Sequence, residues 1–347
     1  MKCRPRHGST VARLASRREP RRAVVRLTPP RRPLVGYLLV VTAVLLWSVN
    51  ATVSKIVLES AGLSALRLSE VRASGSAVIL LVAVALIRPA SLRTNRRELA
   101  FLLAFGICGL ALVQLFYFVA LTRLNIGIAL VIEYIAPVLV ALYARFFVHE
   151  PVRRRLWVAI ALSLAGLSLV VDVWGGVTLD TAGVLACLAA AVAYALYIVM
   201  ADRSLRAGRD AASLLAYGFL FATIFWAIVQ PWWSFPAGTV DASASLLGRL
   251  DELSAPVWLL LGYIVVLGTV VPFVLIVTAL HHISPTQTII VAMLEPVLAA
   301  AVAYAWLREE LTGQQIAGSL LVLGGIVLAQ TAREVEPTAA GAESGPR

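Results

Sequence analysis

The sequence is short of charge. Only 14% of its 347 residues are Asp, Glu, Lys or Arg, whereas 60% are hydrophobic, and the mean hydropathy is +0.87. Soluble domains carry about 25% charged residues, so this composition excludes an ordinary soluble fold. Cysteine is scarce as well. Cys3, Cys108 and Cys187 follow no motif spacing, which argues against a disulfide framework, and the latter two lie in apolar runs as small hydrophobes. The histidines are His7, His149, His281 and His282; the adjacent pair sits in a short connection with no further ligand nearby, so no metal is expected. No phosphate-binding loop, nucleophile elbow or dinucleotide fingerprint occurs, which argues against an ATP-driven pump or a common hydrolase and leaves no cofactor to expect. Segments of alternating hydrophobicity are missing too, which excludes a transmembrane barrel.

What is present is a series of long apolar runs, each able to cross a bilayer core of roughly 30 Å. Ten spans are expected, at about 34–54, 68–88, 99–121, 126–148, 154–173, 181–201, 213–230, 256–279, 284–306 and 312–331. The fold class is therefore an all-α polytopic membrane protein. The net charge of +11 does not imply nucleic acid, because eleven basic residues cluster before the first span. Residues 1–33 read as a basic cytoplasmic tail facing anionic lipid. Arg31-Arg32-Pro33 faintly resembles a twin-arginine signal, but the apolar run after it is span-length and no cleavage pattern follows. Residues 332–347, polar and rich in Ala, Gly, Pro and Glu, read as a disordered tail. With the N-terminus inside, the remaining cytoplasmic segments carry twelve basic residues against six outside, in the sense of the positive-inside rule. Both termini are then cytoplasmic. Arginine outnumbers lysine heavily, which points to a GC-rich bacterial genome and hence to the cytoplasmic membrane.

Two stretches are the same stretch written twice. A slide of 159 positions superimposes Ala120-Leu121 on Ala279-Leu280, Pro137-Val138-Leu139 on Pro296-Val297-Leu298, Glu150 on Glu309 and Gly166 on Gly325. Nearer the N-terminus, Gly36–Trp47 aligns with Gly183–Tyr194 at a slide of 147, and a longer external loop around 231–255 accounts for the change. The repeats cover 34–173 and 181–331, five spans each. Five is odd, so the second unit enters the membrane upside down relative to the first. The flanks agree: Glu150 precedes Arg153-Arg154-Arg155, whereas Glu309 precedes Glu310 and no basic run. Inverted repeats give a route to alternating access, because exchanging the conformations of the halves turns an inward opening into an outward one.

These residues resemble the EamA-type repeat of the drug/metabolite transporter superfamily. In the second half the likeness rests on Gly268-Thr269, Ala279-Leu280, Leu294-Glu295-Pro296-Val297, Glu309-Glu310-Leu311-Thr312, Gly318 and Gly324-Gly325. In the first half it rests on Leu46-Trp47-Ser48-Val49-Asn50, Arg72, Pro137, Glu150 and Gly166. The segment from Asn125 to Tyr134 also looks like the threonine/homoserine exporter branch. The resemblance implies a ten-helix secondary carrier that exports amino acids, other metabolites or drugs.

Ionisable groups at membrane depth are costly and generally face a cavity or a partner. Glu295 lies near the middle of its span and Glu133 about four residues from the middle of its own. Pro137 cannot donate to the carbonyl of Glu133, nor Pro296 to that of Ala292, so each half frees a carbonyl at the same place. Such a cluster suits a substrate ammonium or a proton. The bland alternative is a pair of structural glutamates bonded to neighbouring helices. Trp47 and Asn50 of the first span correspond by repeat to Tyr194 and Tyr197 of the sixth, and are candidates for lining a cavity. Gln114, Tyr117 and Gln287 need polar partners in lipid and serve equally as substrate contacts or as links between helices. Arg72 either attracts an anionic group or snorkels to the interface, and snorkelling is favoured. Glu70 and Arg72 project to different faces and need not pair. Glu150 and Glu309, at span ends, read as caps or interface pairs. Gly166, Gly175, Gly318, Gly324 and Gly325 are expected where helices approach closely.

The leading reading is thus a proton- or exchange-coupled exporter of a small metabolite, with the lipid bilayer and protons as partners and a homodimer left open. A multidrug carrier of cationic compounds is the alternative, and an integral membrane enzyme a remote one. The inverted arrangement has a direct test. In a background lacking the native cysteines, Glu150→Cys should react with an impermeant maleimide from the cytoplasmic side only, and Glu309→Cys from the outside only. Labelling of both from one side would rule out oppositely oriented halves.

Overall fold

A computed structural model describes residues 32–124, 126–149, 153–171, 180–308 and 310–331. Both tails, with Asn125, Glu150, Gly175 and Glu309, lie outside the described residues. The described chain forms ten helical segments. These are α1 (Pro33–Ser60), α2 (Ala65–Ile87), α3 (Arg96–Leu121), α4 in two pieces (Ile126–Glu133 and Ala136–Phe146), α5 (Arg154–Val170), α6 (Thr181–Arg206), α7 (Ala211–Val229), α8 (Val257–Ala279), α9 in two pieces (Pro285–Ala292 and Glu295–Leu307) and α10 (Gly313–Thr331). Eight of the ten are long and apolar enough to cross a membrane. The other two are α5, of 17 residues, and α10, whose apolar part is Gly313–Ala329. The protein is a multi-pass helical membrane protein.

Local chemistry sets the helix starts. Pro33 takes the first position of α1, where its fixed φ and missing N–H are tolerated. Side chains of Ser64, Asp180 and Asp210 accept the third backbone N–H of α2, α6 and α7. Ser284 and Gln287 form a reciprocal capping box on α9, so Gln287 is engaged at a helix end. One expected boundary needs correction. The first helix runs to Ser60 rather than 54, because Ile56 and Val57 continue a buried stripe past Lys55. Helices three and eight are not regular throughout. Phe105–Ala111 and Val266–Val270 are wide π turns, and a slide of 159 carries the first onto the second.

The halves interlock rather than lie side by side. Helix α1 packs against α8 and α9, α6 against α3 and α4, α2 against α7, and α5 against α10. Each pairing matches its counterpart when the halves are exchanged. Small residues make close contacts, several of them in matched pairs. A Cβ on Gly166 would lie 2.6 Å from the carbonyl of Gly318, and one on Gly325 2.8 Å from that of Ala159; the slide of 159 turns one contact into the other. Gly36 abuts His282 and Ile283, while its equivalent Gly183 abuts Arg123 and Leu124.

A short antiparallel hairpin, β1 (Ser243–Ser245) with β2 (Ser254–Pro256), covers an apolar cluster of Val53, Ile56, Val57, Leu68 and Val257. Ser60 Oγ donates to the Ser245 carbonyl, and Trp306 Nε1 donates to that of Leu246. Nearby, Arg67 bridges Glu70 at 2.6 Å and donates to the Pro231 carbonyl at 3.1 Å. Glu70 therefore pairs one turn back and not with Arg72.

The α5–α10 contact has no room for a side chain. Gly166→Val and Gly318→Val should each destabilise the purified protein by about 1–3 kcal/mol, the usual cost of overpacking. Gly262→Ala, whose added Cβ meets nothing within 4 Å, should stay within about 0.5 kcal/mol of wild type. Melting in detergent measures both, and equal melting points would discount the close approach.

Candidate functional site

The helices enclose a cavity of about 350 Å³. Its lining steps from Glu295 and Tyr194 to Leu58, near the end of α1, and Ala65, at the start of α2. It therefore extends toward the side that carries the α1–α2 turn. The opposite half is filled by buried Tyr37, Val40, Val44, Ile276, Val277, Ile283, Ile289 and Ile290.

At the bottom of the cavity the two interrupted helices face each other. Helix α4 stops at Glu133 and resumes at Ala136; α9 stops at Ala292 and resumes at Glu295. Both restarts carry a proline at the second helical position, Pro137 and Pro296, which cannot continue the hydrogen-bond ladder behind it. Tyr134, in the first break, donates its hydroxyl to Glu295 Oε2 at 3.0 Å, in the second. Ser48 of α1 donates to the Glu295 carbonyl at 3.1 Å. The carboxylate of Glu133 lines the same cavity and takes no hydrogen bond or ion pair among the described residues. Asn50 Oδ1, Gln114 Oε1 and the Tyr197 hydroxyl are buried and equally without a partner there.

Aromatic rings wall one side. Phe273 of α8 meets Trp47 edge-on at 5.4 Å and Tyr197 at 5.6 Å, and Tyr194 stacks on Tyr197 at 6.3 Å. The wall rests on both π turns. Gly268 lies directly beneath the Asn50 side chain, and a Cβ on Gly109 would come within 3.1 Å of the Tyr197 Cα. Gly109 and Gly268 are repeat equivalents, as are Tyr197 and Asn50.

The cavity thus gathers Glu133, Glu295, Trp47, Asn50, Tyr194, Tyr197, Gln114 and Tyr117. It also takes in Arg72, which does not reach for the interface: its Nε donates to Thr269 Oγ1 at 3.0 Å and its side chain lines the cavity. Snorkelling is overturned by that contact. Gln287 stays at its cap and Glu70 at its Arg67 pair. Tyr134, Phe273 and Thr269 were not foreseen. Tyr134 had a usable signal, being next to Glu133 at a proline break; Phe273, one apolar residue in an apolar run, had none. Chemically, unpartnered acid, amide and phenol oxygens beside aromatic faces offer contacts to a cationic or hydroxylated solute.

Comparison with known proteins agrees with this architecture. A solved crystal structure superposes with a TM-score of 0.70 at 19% identity, over 85% of this chain and 96% of the other, which establishes the fold. The uncharacterised transporter YdfC of Bacillus subtilis (strain 168) is 22% identical over 66% of this chain and 71% of its own length. The threonine/homoserine exporter RhtA of Escherichia coli (strain K12) is 28% identical over 72% of this chain and 76% of its own. The profile of the EamA-like transporter family matches twice, at residues 34–172 and 181–331. A double match across almost all of the described helices, on a fold of interlocked halves, makes this chain a member of the EamA-like transporter family.

Proposed function

We propose that this transporter exports a small polar metabolite, such as an amino acid, from the cytoplasm by alternating access, coupled to proton antiport or to exchange. The observation that carries the reading is the Tyr134–Glu295 bond. It joins the two interrupted helices, one from each half, at the floor of a cavity with one open side. Glu133 and Glu295 are the groups assigned to substrate and proton. A carboxyl held at membrane depth can be occupied by a proton or by a substrate cation, and competition between the two couples their movements. Trp47, Asn50, Tyr194, Tyr197, Gln114 and Tyr117 provide the surrounding contacts. The similarity to RhtA supports an amino-acid-like cargo.

The orientation follows from the charge bias, with the N-terminus inside. The cavity then opens outward, and the Gly36 contact with His282 and Ile283 lies in the closed inner half. The inward-open form arises when the halves exchange conformations, so that the inner half opens and the outer half closes. The aromatic wall favours a second reading, in which lipophilic cations are the cargo.

Reconstituted protein should release a loaded substrate faster when an inward proton gradient is imposed. Glu295→Gln should lower gradient-driven flux by tenfold or more, and Glu133→Gln should weaken substrate binding. Tyr134→Phe, which removes only the bond to Glu295, should shift the pH dependence of flux with less loss of rate. Identical flux from wild type and Glu295→Gln with every substrate would remove the coupling role. A screen in which only cationic dyes move would select the second reading.

A further inference from the structure

The cavity holds one fixed cation, and its donors are only partly used. Arg72 sits about two turns into α2. Its Nε donates to Thr269 Oγ1 at 3.0 Å, and that hydroxyl in turn donates to the Ile264 carbonyl at 2.8 Å, a spacing of five residues. Thr269 lies within the π turn of α8, which sets its hydroxyl over the Ile264 carbonyl. Both roles of the hydroxyl are thereby fixed. The two terminal amino groups of Arg72 make no hydrogen bond and no ion pair among the described residues, although the side chain lines the cavity. A guanidinium is always charged, and four idle N–H donors at membrane depth are costly. Their planar fork matches a carboxylate in bidentate fashion.

The geometry points to Arg72 as the substrate-carboxylate anchor, which makes the cavity selective for zwitterions. This rests on the carrier reading above and narrows it. The same cavity offers Glu133, without a partner, and Glu295, held by Tyr134, to the substrate ammonium. A zwitterion pairs with both kinds of group at once. A lipophilic monocation offers no acceptor to the Arg72 fork and competes with Arg72 for the through-space attraction of Glu295. Thr269 is a positioning residue: it touches the guanidinium and not the substrate. Nothing equivalent stands in the second half, where the slide of 147 carries Arg72 onto Phe219. The two halves share helix breaks and glycine contacts, whereas the anion site belongs to one of them alone.

The test uses the full chain, purified and reconstituted, with the twenty standard α-amino acids and their carboxamides as probes. Thermal stabilisation reports binding, and counterflow reports transport. Wild type should prefer at least one amino acid over its carboxamide by about tenfold or more. Arg72→Gln should bring that ratio close to one, mainly by weakening the acid. Arg72→Lys, which keeps the charge but loses the fork, should fall between. Thr269→Val should lower the ratio without any change of charge. An unchanged ratio in Arg72→Gln overturns the assignment; if that variant does not fold, unchanged ratios in both Arg72→Lys and Thr269→Val overturn it equally. A wild type that binds carboxamides or cationic dyes but no amino acid also overturns it and leaves the carrier reading standing. A wild type that binds and moves none of these compounds removes the carrier reading and this inference together.

Discussion

In hydrocarbon every backbone N–H and C=O must find a partner within the protein, because no water is present to take its place. An unbroken helix meets that demand unaided, and each departure from it must be matched elsewhere. This chain departs from regular helix at four points in its spans: the breaks after Glu133 and Ala292, and the π turns at Phe105–Ala111 and Val266–Val270. All four adjoin the cavity that gathers Glu133, Glu295 and Arg72. The irregular backbone and the polar chemistry are thus a single arrangement. The breaks bring Tyr134 and Glu295 together, and the π turns seat Asn50 and Tyr197 against glycine while fixing the hydroxyl of Thr269.

The two halves follow one backbone plan and differ in side chains. Glycine contacts, helix breaks and wide turns all occur in matched pairs. The charged groups of the cavity do not. Glu133 stands where the other half has Ala292, Glu295 where it has Ala136, and Arg72 where it has Phe219. A backbone repeated in this way is what the alternating-access reading proposed above calls for. Asymmetry of the side chains is what the proposed division between a carboxylate anchor at Arg72 and ammonium contacts at Glu133 and Glu295 rests on.

Much of this was legible in the sequence, for physical reasons. Apolar runs are forced by the bilayer, so the spans were read within a few residues, and the repeat identified the equivalent prolines. The acids and aromatics of the cavity could be named because buried charge in lipid is rare. The remainder depended on tertiary placement. Whether Arg72 reaches outward or inward turns on Thr269 of α8, almost two hundred residues away. The π turns leave no periodicity signal, since one extra residue in an all-apolar run changes no pattern. Gln287 carried the same polar signal as Gln114, yet it caps a helix, because Ser284 lies three residues before it.

The hairpin between α7 and α8 has a mechanical consequence. Ser60 and Trp306, the ends of α1 and α9, hang from adjacent carbonyls of β1 and the residue after it. Those two helix ends are thereby tied to one strand, and spreading them apart would break one of the two bonds. Below these ties, the helix of α9 is already interrupted at residues 293–294. The hairpin thus ties down the upper piece of α9 and leaves the lower piece to its contacts with the other helices.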